Sequence, residues 1–191
     1  MIKKLYVFLT AAVLTLSSCD VLQSVATLAT NCEYKVSSVT NYSVAGLDVA
    51  NKKKLSDFNF MDAASVSTAL LTKSLPIKMT VNVGVENSGP EARLNTLEWQ
   101  AFVENKPLAI GKVEQPVTIP ATGKGNIPLT VTADLFEVLS GESRDMILNT
   151  ALTLLTGEKT GTPSKLNFKV RPSYNVGGQI IQHPNYINIK L

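Results

Sequence analysis

The sequence predicts a mainly β protein, a two-sheet β-sandwich with a few short helices. Ile77, Met79, Val81, Val83 and Val85 alternate strictly with Lys78, Thr80, Asn82, Gly84 and Glu86. Period two puts one set in a core and the other towards water, as in an antiparallel sheet with one wet face. Leu97, Trp99, Ala101 and Val103 repeat the pattern, and so do Ile127, Leu129 and Val131. Turn-forming clusters, Asn87-Ser88-Gly89-Pro90 and Pro120-Ala121-Thr122-Gly123, separate these runs. About seven or eight strands with such punctuation make a sandwich.

The first strand is expected from Glu33 to Val39, with Tyr34 and Val36 on one face, and Tyr42 to Val49 continues it beyond an irregular step. Lys52, Lys53 and Lys54 form a basic loop, read as a solvated turn, with anionic lipid headgroups as the other reading. Phe58, Met61, Val66, Ala69 and Leu70 recur at helical spacing, predicting a helix from Asp57 to Lys73 capped by Asp57 or Asp62. The long alternating strand follows. Asn105-Lys106 is read as a hairpin turn into Pro107 to Val113, and Pro116 to Ile119 as a further short strand. After the strand containing Ile127, Asp134 caps a helix from Leu135 to Ser140. Ser143 caps another through Thr156, whose apolar face is Ile147, Leu148, Ala151 and Leu155. Two strands finish the chain, one with Leu166, Phe168 and Val170 inward, and one with Ile187, Ile189 and Leu191 after a turn at His183-Pro184-Asn185.

The first 18 residues have the character of a lipoprotein signal peptide. Lys3 and Lys4 precede an apolar run from Leu5 to Leu16, too short for the ~20 residues that span a bilayer. Leu16-Ser17-Ser18-Cys19 then reads as a lipobox, with Cys19 the expected site of lipid attachment by acyl chains such as palmitate. Subtracting Lys3 and Lys4 takes the formal charge from +3 to +1, so the basic balance gives no reason to expect nucleic acid. Residues 19–32 are expected to be a tether or short helix, with Val21, Leu22, Val25, Leu28 and Ala29 at helical spacing. Residues 33–191 are expected to form one domain. Once Cys19 carries lipid, Cys32 is the one remaining thiol. It is read as a buried cysteine at the start of the first strand, with a reactive thiol as the alternative.

The long alternating strand Ile77 to Asn87, the strand Leu94 to Glu104, the loop Ile119-Pro120-Ala121-Thr122-Gly123 and the strand Ile127 to Thr132 occur in an order that resembles the late-embryogenesis-abundant type 2 family, whose module is the water-stress and hypersensitive-response (WHy) domain. Asn87-Ser88-Gly89-Pro90 stands where the family usually has Asn-Pro, so the turn is longer here. The resemblance implies an immunoglobulin- or fibronectin III-like β-sandwich without catalytic residues, linked to dehydration and stress responses.

Chemistry-bearing residues are few. His183 is the only histidine, in a turn beside Pro184, and a Cys32–His183 nucleophile pair would lack a third orienting group. There are too few His and Cys residues for a metal cluster. Gly123-Lys124-Gly125 is too short for a phosphate loop, and Gly177-Gly178 reads as a hairpin turn. Lys165, Lys169 and Arg171 form an outward basic row of the kind common on wet strand faces, and Trp99 is read as core. No cofactor, metal or nucleic acid is expected. The protein is read as a non-enzymatic envelope lipoprotein, a binding, scaffolding or stress-protective module tethered through Cys19. Its candidate partners are an envelope protein or an apolar ligand. The alternatives are a carrier of an apolar small molecule or lipid under the helices, and a thiol enzyme using Cys32. The expected location is the cell envelope, on the periplasmic side in preference to the cell surface.

Overall fold

The computed structural model describes residues 27, 31–49, 52, 57–156 and 166–189. The leader, Cys19, Lys53, Lys54, Lys165 and Leu191 lie outside the described residues. So does the expected helix after Cys19, apart from Thr27, an exposed helical residue.

Among the described residues, ten strands and three helices of four residues or more occur in the order β1 (Cys32–Val44), β2 (Leu47–Asp48), α1 (Phe60–Leu71), β3 (Pro76–Asn87), β4 (Ala92–Val103), β5 (Lys106–Val113), β6 (Val117–Ile119), β7 (Lys124–Asp134), α2 (Leu135–Val138), α3 (Arg144–Thr156), β8 (Leu166–Val176), β9 (Gln179–Gln182) and β10 (Ile187–Ile189). One antiparallel sheet has the order β2-β1-β3-β7. The other runs β10-β8-β4-β5, with β6 also on β4 and β9 also on β8. β5 and β6 line the same edge of β4, one beside residues 97–103 and the other beside 92–94. β9 and β10 line the outer edge of β8 in the same way. Each pair is one edge strand broken by a bulge, at residues 114–116 and 183–186. Counted so, the first, second and fifth long strands make one sheet and the third, fourth, sixth and seventh the other, which is a fibronectin III-like sandwich. Broken edges offer a poor template for pairing with another chain.

The core is the set of inward faces that alternation predicts. Ile77, Met79, Val81, Val83 and Val85 of β3 and Ile127, Leu129 and Val131 of β7 meet Leu94, Leu97, Trp99, Ala101 and Val103 of β4 and Phe168, Val170 and Tyr174 of β8. An extra residue in β4 between Leu94 and Thr96 explains why Leu94 and Leu97 both face inward three positions apart. Trp99 covers Gly111 on β5, where a Cβ would come within 2.4 Å of the indole. Hairpins at Ala45-Gly46, Glu104-Asn105 and Gly177-Gly178 have both turn residues at positive φ, the left-handed pair that matches strand twist.

Several expectations need correction. β1 is one strand from Cys32 to Val44, and its irregular step is real, with register shifts after Val36 and Thr40. α1 begins at Phe60, not Asp57. Its N-cap is Asn59, whose side chain accepts from the Asp62 N–H while Asp62 accepts from the Asn59 N–H. Asp62 is thus the third helical residue of a capping box, not the cap itself. Met61, expected on the apolar face, is exposed, because the side that rests on the domain is centred on Ala69. The hairpin turn is Glu104-Asn105, and Lys106 already belongs to β5. The turn at His183-Pro184-Asn185 bends the chain without reversing it: the His183 N–H donates to the Pro172 carbonyl at 2.8 Å, and the chain continues along the same edge.

The sandwich has two unlike ends. At one, Cys32, Asn87 and Lys124 come together with the turns 87–92 and 119–124. At the other, Pro76 pairs with Asp134, and all three helices connect strands there.

Candidate functional site

The helical end holds a cleft. Asp134, the last residue of β7, organises it. Its Oδ1 accepts from the Leu75 N–H at 3.0 Å and the Phe136 N–H at 2.9 Å, and its Oδ2 from the Ser74 hydroxyl at 2.6 Å. One carboxylate thereby caps α2 and fixes the chain between α1 and β3. Burial works to raise its pKa. The donors from Ser74, Leu75, Phe136 and Glu137 outweigh burial and hold it below the usual carboxylate value. Ser143 caps α3, accepting from the Met146 N–H at 3.2 Å, and Glu142 pairs with Lys106 of the β4–β5 hairpin at 3.1 Å.

Between α2 and α3 this framework leaves a cleft of about 590 Å³ lined by Lys73, Asp134, Phe136, Glu137, Leu139, Ser140, Gly141, Glu142, Arg144 and Ile147. Leu139 and Ile147 are buried and supply an apolar floor, while Lys73 and Arg144 are exposed at the rim. The volume is in the range of small-molecule sites. Its walls mix apolar and charged groups, so the arrangement suits an amphiphile better than a purely apolar ligand. A smaller cleft of about 340 Å³ lies beside Phe102, Asn105, Lys169 and Asn188.

Cys32 and His183 serve separate purposes. Cys32 is buried beside Tyr174, whose hydroxyl lies 2.8 Å from that of Tyr34. This polar link joins β1 of one sheet to β8 of the other. Burial pushes the thiol pKa up, against the lesser effect of Tyr174, and burial likewise raises both phenols. His183 sits in the edge bulge, its Nδ1 2.6 Å from the Asn185 carbonyl oxygen. No cluster of three or more His, Cys, Asp or Glu residues able to hold a metal occurs among the described residues.

The basic row is largely occupied. Arg171 Nη2 lies 2.5 Å from Glu98 Oε2, with the Tyr186 ring 4.8 Å from the guanidinium. The Arg171 hydrogen bonds, against a smaller effect of burial, hold Glu98 below its ordinary pKa. Lys169 lies over the Phe102 ring at 5.0 Å. Lys124, in the short glycine segment, pairs with Glu86 at 3.0 Å.

The opposite end is a clasp that the sequence reading treated only as turns. The buried Asn87 amide donates to the Pro90 carbonyl at 2.6 Å and the Pro120 carbonyl at 3.0 Å, and its oxygen accepts from the Gly89 N–H at 3.0 Å. The Thr122 N–H donates to the Gly89 carbonyl and the Asn87 N–H to the Gly123 carbonyl, while Ile119 is fully buried beneath. The residues that carry the family resemblance therefore hold two loops together. An asparagine ending a long alternating strand, with a proline-containing loop to follow, was the available signal.

No helix among the described residues is long and apolar enough to cross a membrane. No family model matches the chain, and no curated protein sequence matches it significantly. Among solved structures the chain is similar to one assigned to the late embryogenesis abundant (LEA) proteins, at 10% identity over 91% of this chain and 86% of that one, with a TM-score of 0.37. It is also similar to a protein from Arabidopsis thaliana (13% identity, 62% and 72% covered, TM-score 0.37) and to one from Archaeoglobus fulgidus (13%, 61% and 87%, TM-score 0.33). Likenesses this distant say nothing of activity, substrate or partner, and the sandwich rests on the strand order itself.

Proposed function

We propose that the protein is a non-enzymatic binding or scaffolding module, held at an envelope membrane by lipid on Cys19 and akin to the late-embryogenesis-abundant type 2 sandwiches. The observation that carries this reading is the burial of its one thiol beyond Cys19. Cys32 is buried between the sheets beside Tyr174, and that burial disfavours the thiolate, so the thiol is poorly placed to act as a nucleophile. Kinship with the family is supported by the clasp, where Asn87 and the Pro120 loop, the resembling segments, bind one another. Stress protection is the finer form of this proposal.

Metabolic labelling with an alkyne-bearing palmitate, followed by fractionation, tests the anchor. Label and membrane association are expected in the native chain and lost in Cys19→Ala. Label retained by that variant would reject Cys19 as the site. Iodoacetamide tests the rest: Cys32 should react only on unfolding, and rapid reaction of the folded protein would restore the thiol-enzyme alternative. Unchanged desiccation and osmotic survival after clean deletion would remove the protective form.

A second reading, a carrier of small amphiphiles, is favoured by the cleft beside α2 and α3. Native mass spectrometry of gently purified protein should show a bound molecule that is lost when Ile147 is replaced by Asp. A consistently empty protein would end it.

A further inference from the structure

One surface at the helical end is not used by the sandwich. The single charged residue of α1, Asp62, is taken up by its capping box and an ion pair with Lys52. The other side of the helix presents Phe60, Met61 and Leu71, which are 84%, 71% and 72% exposed. They are three of the five large apolar side chains exposed among the described residues. Ala64 and Thr68, between them, are exposed and uncharged. The run from Phe60 to Leu71 rises about 16 Å along the helix. A solvated helix normally carries charge on its outer face, and an apolar patch unbroken by charge marks a contact surface.

The surrounding charge selects the occupant. With Lys52 and Asp62 spent on each other, the sequence around the helix adds Lys53, Lys54 and Lys73 against only Asp57. A second copy docking through the same segment would bring together two segments of like net charge. An anionic bilayer would accept the apolar side chains at the boundary between headgroups and acyl chains, and the lysines among its phosphates.

We propose that α1 is an interfacial membrane contact, lying on the anionic bilayer to which the chain is tethered. Only the choice of bilayer rests on the function proposed above. The reach is sufficient: the twelve residues after Cys19, up to Asn31, extend to at most ~40 Å, about the length of a twelve-residue strand such as β3. A domain tethered at its clasp end can therefore lie along the surface with α1 in contact.

The test uses the full chain carrying Cys19→Ser and Leu71→Cys, so that with Cys32 buried a nitrobenzoxadiazole dye has one accessible thiol, on α1. The variant has no lipid, so failure of the Cys19 assignment leaves the outcome unaffected. The leader, with Lys3 and Lys4 beside its apolar run, would itself favour anionic vesicles, so the part of the response lost when Phe60 and Met61 are replaced is what reports α1. Phosphatidylcholine vesicles containing phosphatidylglycerol should blue-shift the dye and raise its emission several-fold. Pure phosphatidylcholine should do much less, and salt near 1 M should reverse much of the difference. Phe60→Ser with Met61→Ser should remove most of it. Emission unchanged by anionic vesicles, or a response that this double variant leaves intact, would overturn the proposal. So would a rise that follows protein concentration without vesicles, which would mark a contact between copies.

Discussion

The two ends of the sandwich use polar groups differently. At the clasp end, Asn87 spends its whole amide on carbonyls and an N–H of two adjoining loops, over a fully buried Ile119. At the helical end, Asp134 is equally occupied, yet around it remain an open cleft, rim cations and an uncovered apolar helix. One end is closed by its own groups, and the other leaves surface available for a ligand or a partner. Stability should therefore be concentrated at the clasp, and tolerance to substitution at the helices.

The sharpest way to break this contrast is to empty the clasp. Ile119→Ala should cost about 2–5 kcal/mol in chemical denaturation, as lost burial and a residual cavity add. Asn87→Ala should cost about 2–3 kcal/mol by leaving buried carbonyls without a donor. Asn87→Asp, nearly the same shape, should be at least as costly, because a carboxylate cannot donate to Pro90 and Pro120. If Asn87→Asp melts like the native chain, the clasp is not what holds this end.

At the other end, Asp134→Ala should cost less, about 1 kcal/mol, the usual value of a helix cap. Its signature is in pH. The folded pKa of Asp134 lies below the unfolded value of about 3.9. Between the two values the unfolded chain binds the extra proton, so stability rises with pH in that window. The contribution is complete above the unfolded pKa and lost as pH falls through the folded one. The stabilities of native protein and Asp134→Asn should therefore differ by a constant amount above about pH 5 and converge as the pH falls below about 4. A difference that does not shrink towards acid pH would mean that the carboxylate charge does not stabilise the cap.

The strands of the core were legible because a face that is either buried or wet imprints period two, and β3, β4 and β7 obey it residue by residue. Positions where the chain departs from that period were harder to read. Asn95 in β4 and residues 183–186 in the edge strand are bulges, and a bulge is defined by the partner strand, which local sequence does not contain. The helix α1 was expected from Asp57 with Asp57 or Asp62 as its cap and begins three residues later behind Asn59, although Asn59 and Asp62 stand at the three-residue spacing of a capping box. Asn87 looked like a turn residue because its second loop lies 33 positions away. The cleft was invisible for the same reason: Lys73 and Arg144 meet only after β3 and β7 pair.

The smallest expected effect bears most on function. Phe60→Ser and Leu71→Ser should change stability by no more than about 0.5 kcal/mol, since neither side chain loses burial within the domain. A loss near 2 kcal/mol from either would mean that α1 packs against something within its own chain, and the free apolar face would disappear. If the melts coincide while binding to anionic vesicles falls, the helix sequence is kept apolar for a contact outside the fold. Stability and surface binding would then separate along the molecule as the two ends do, with the clasp governing the first and α1 the second.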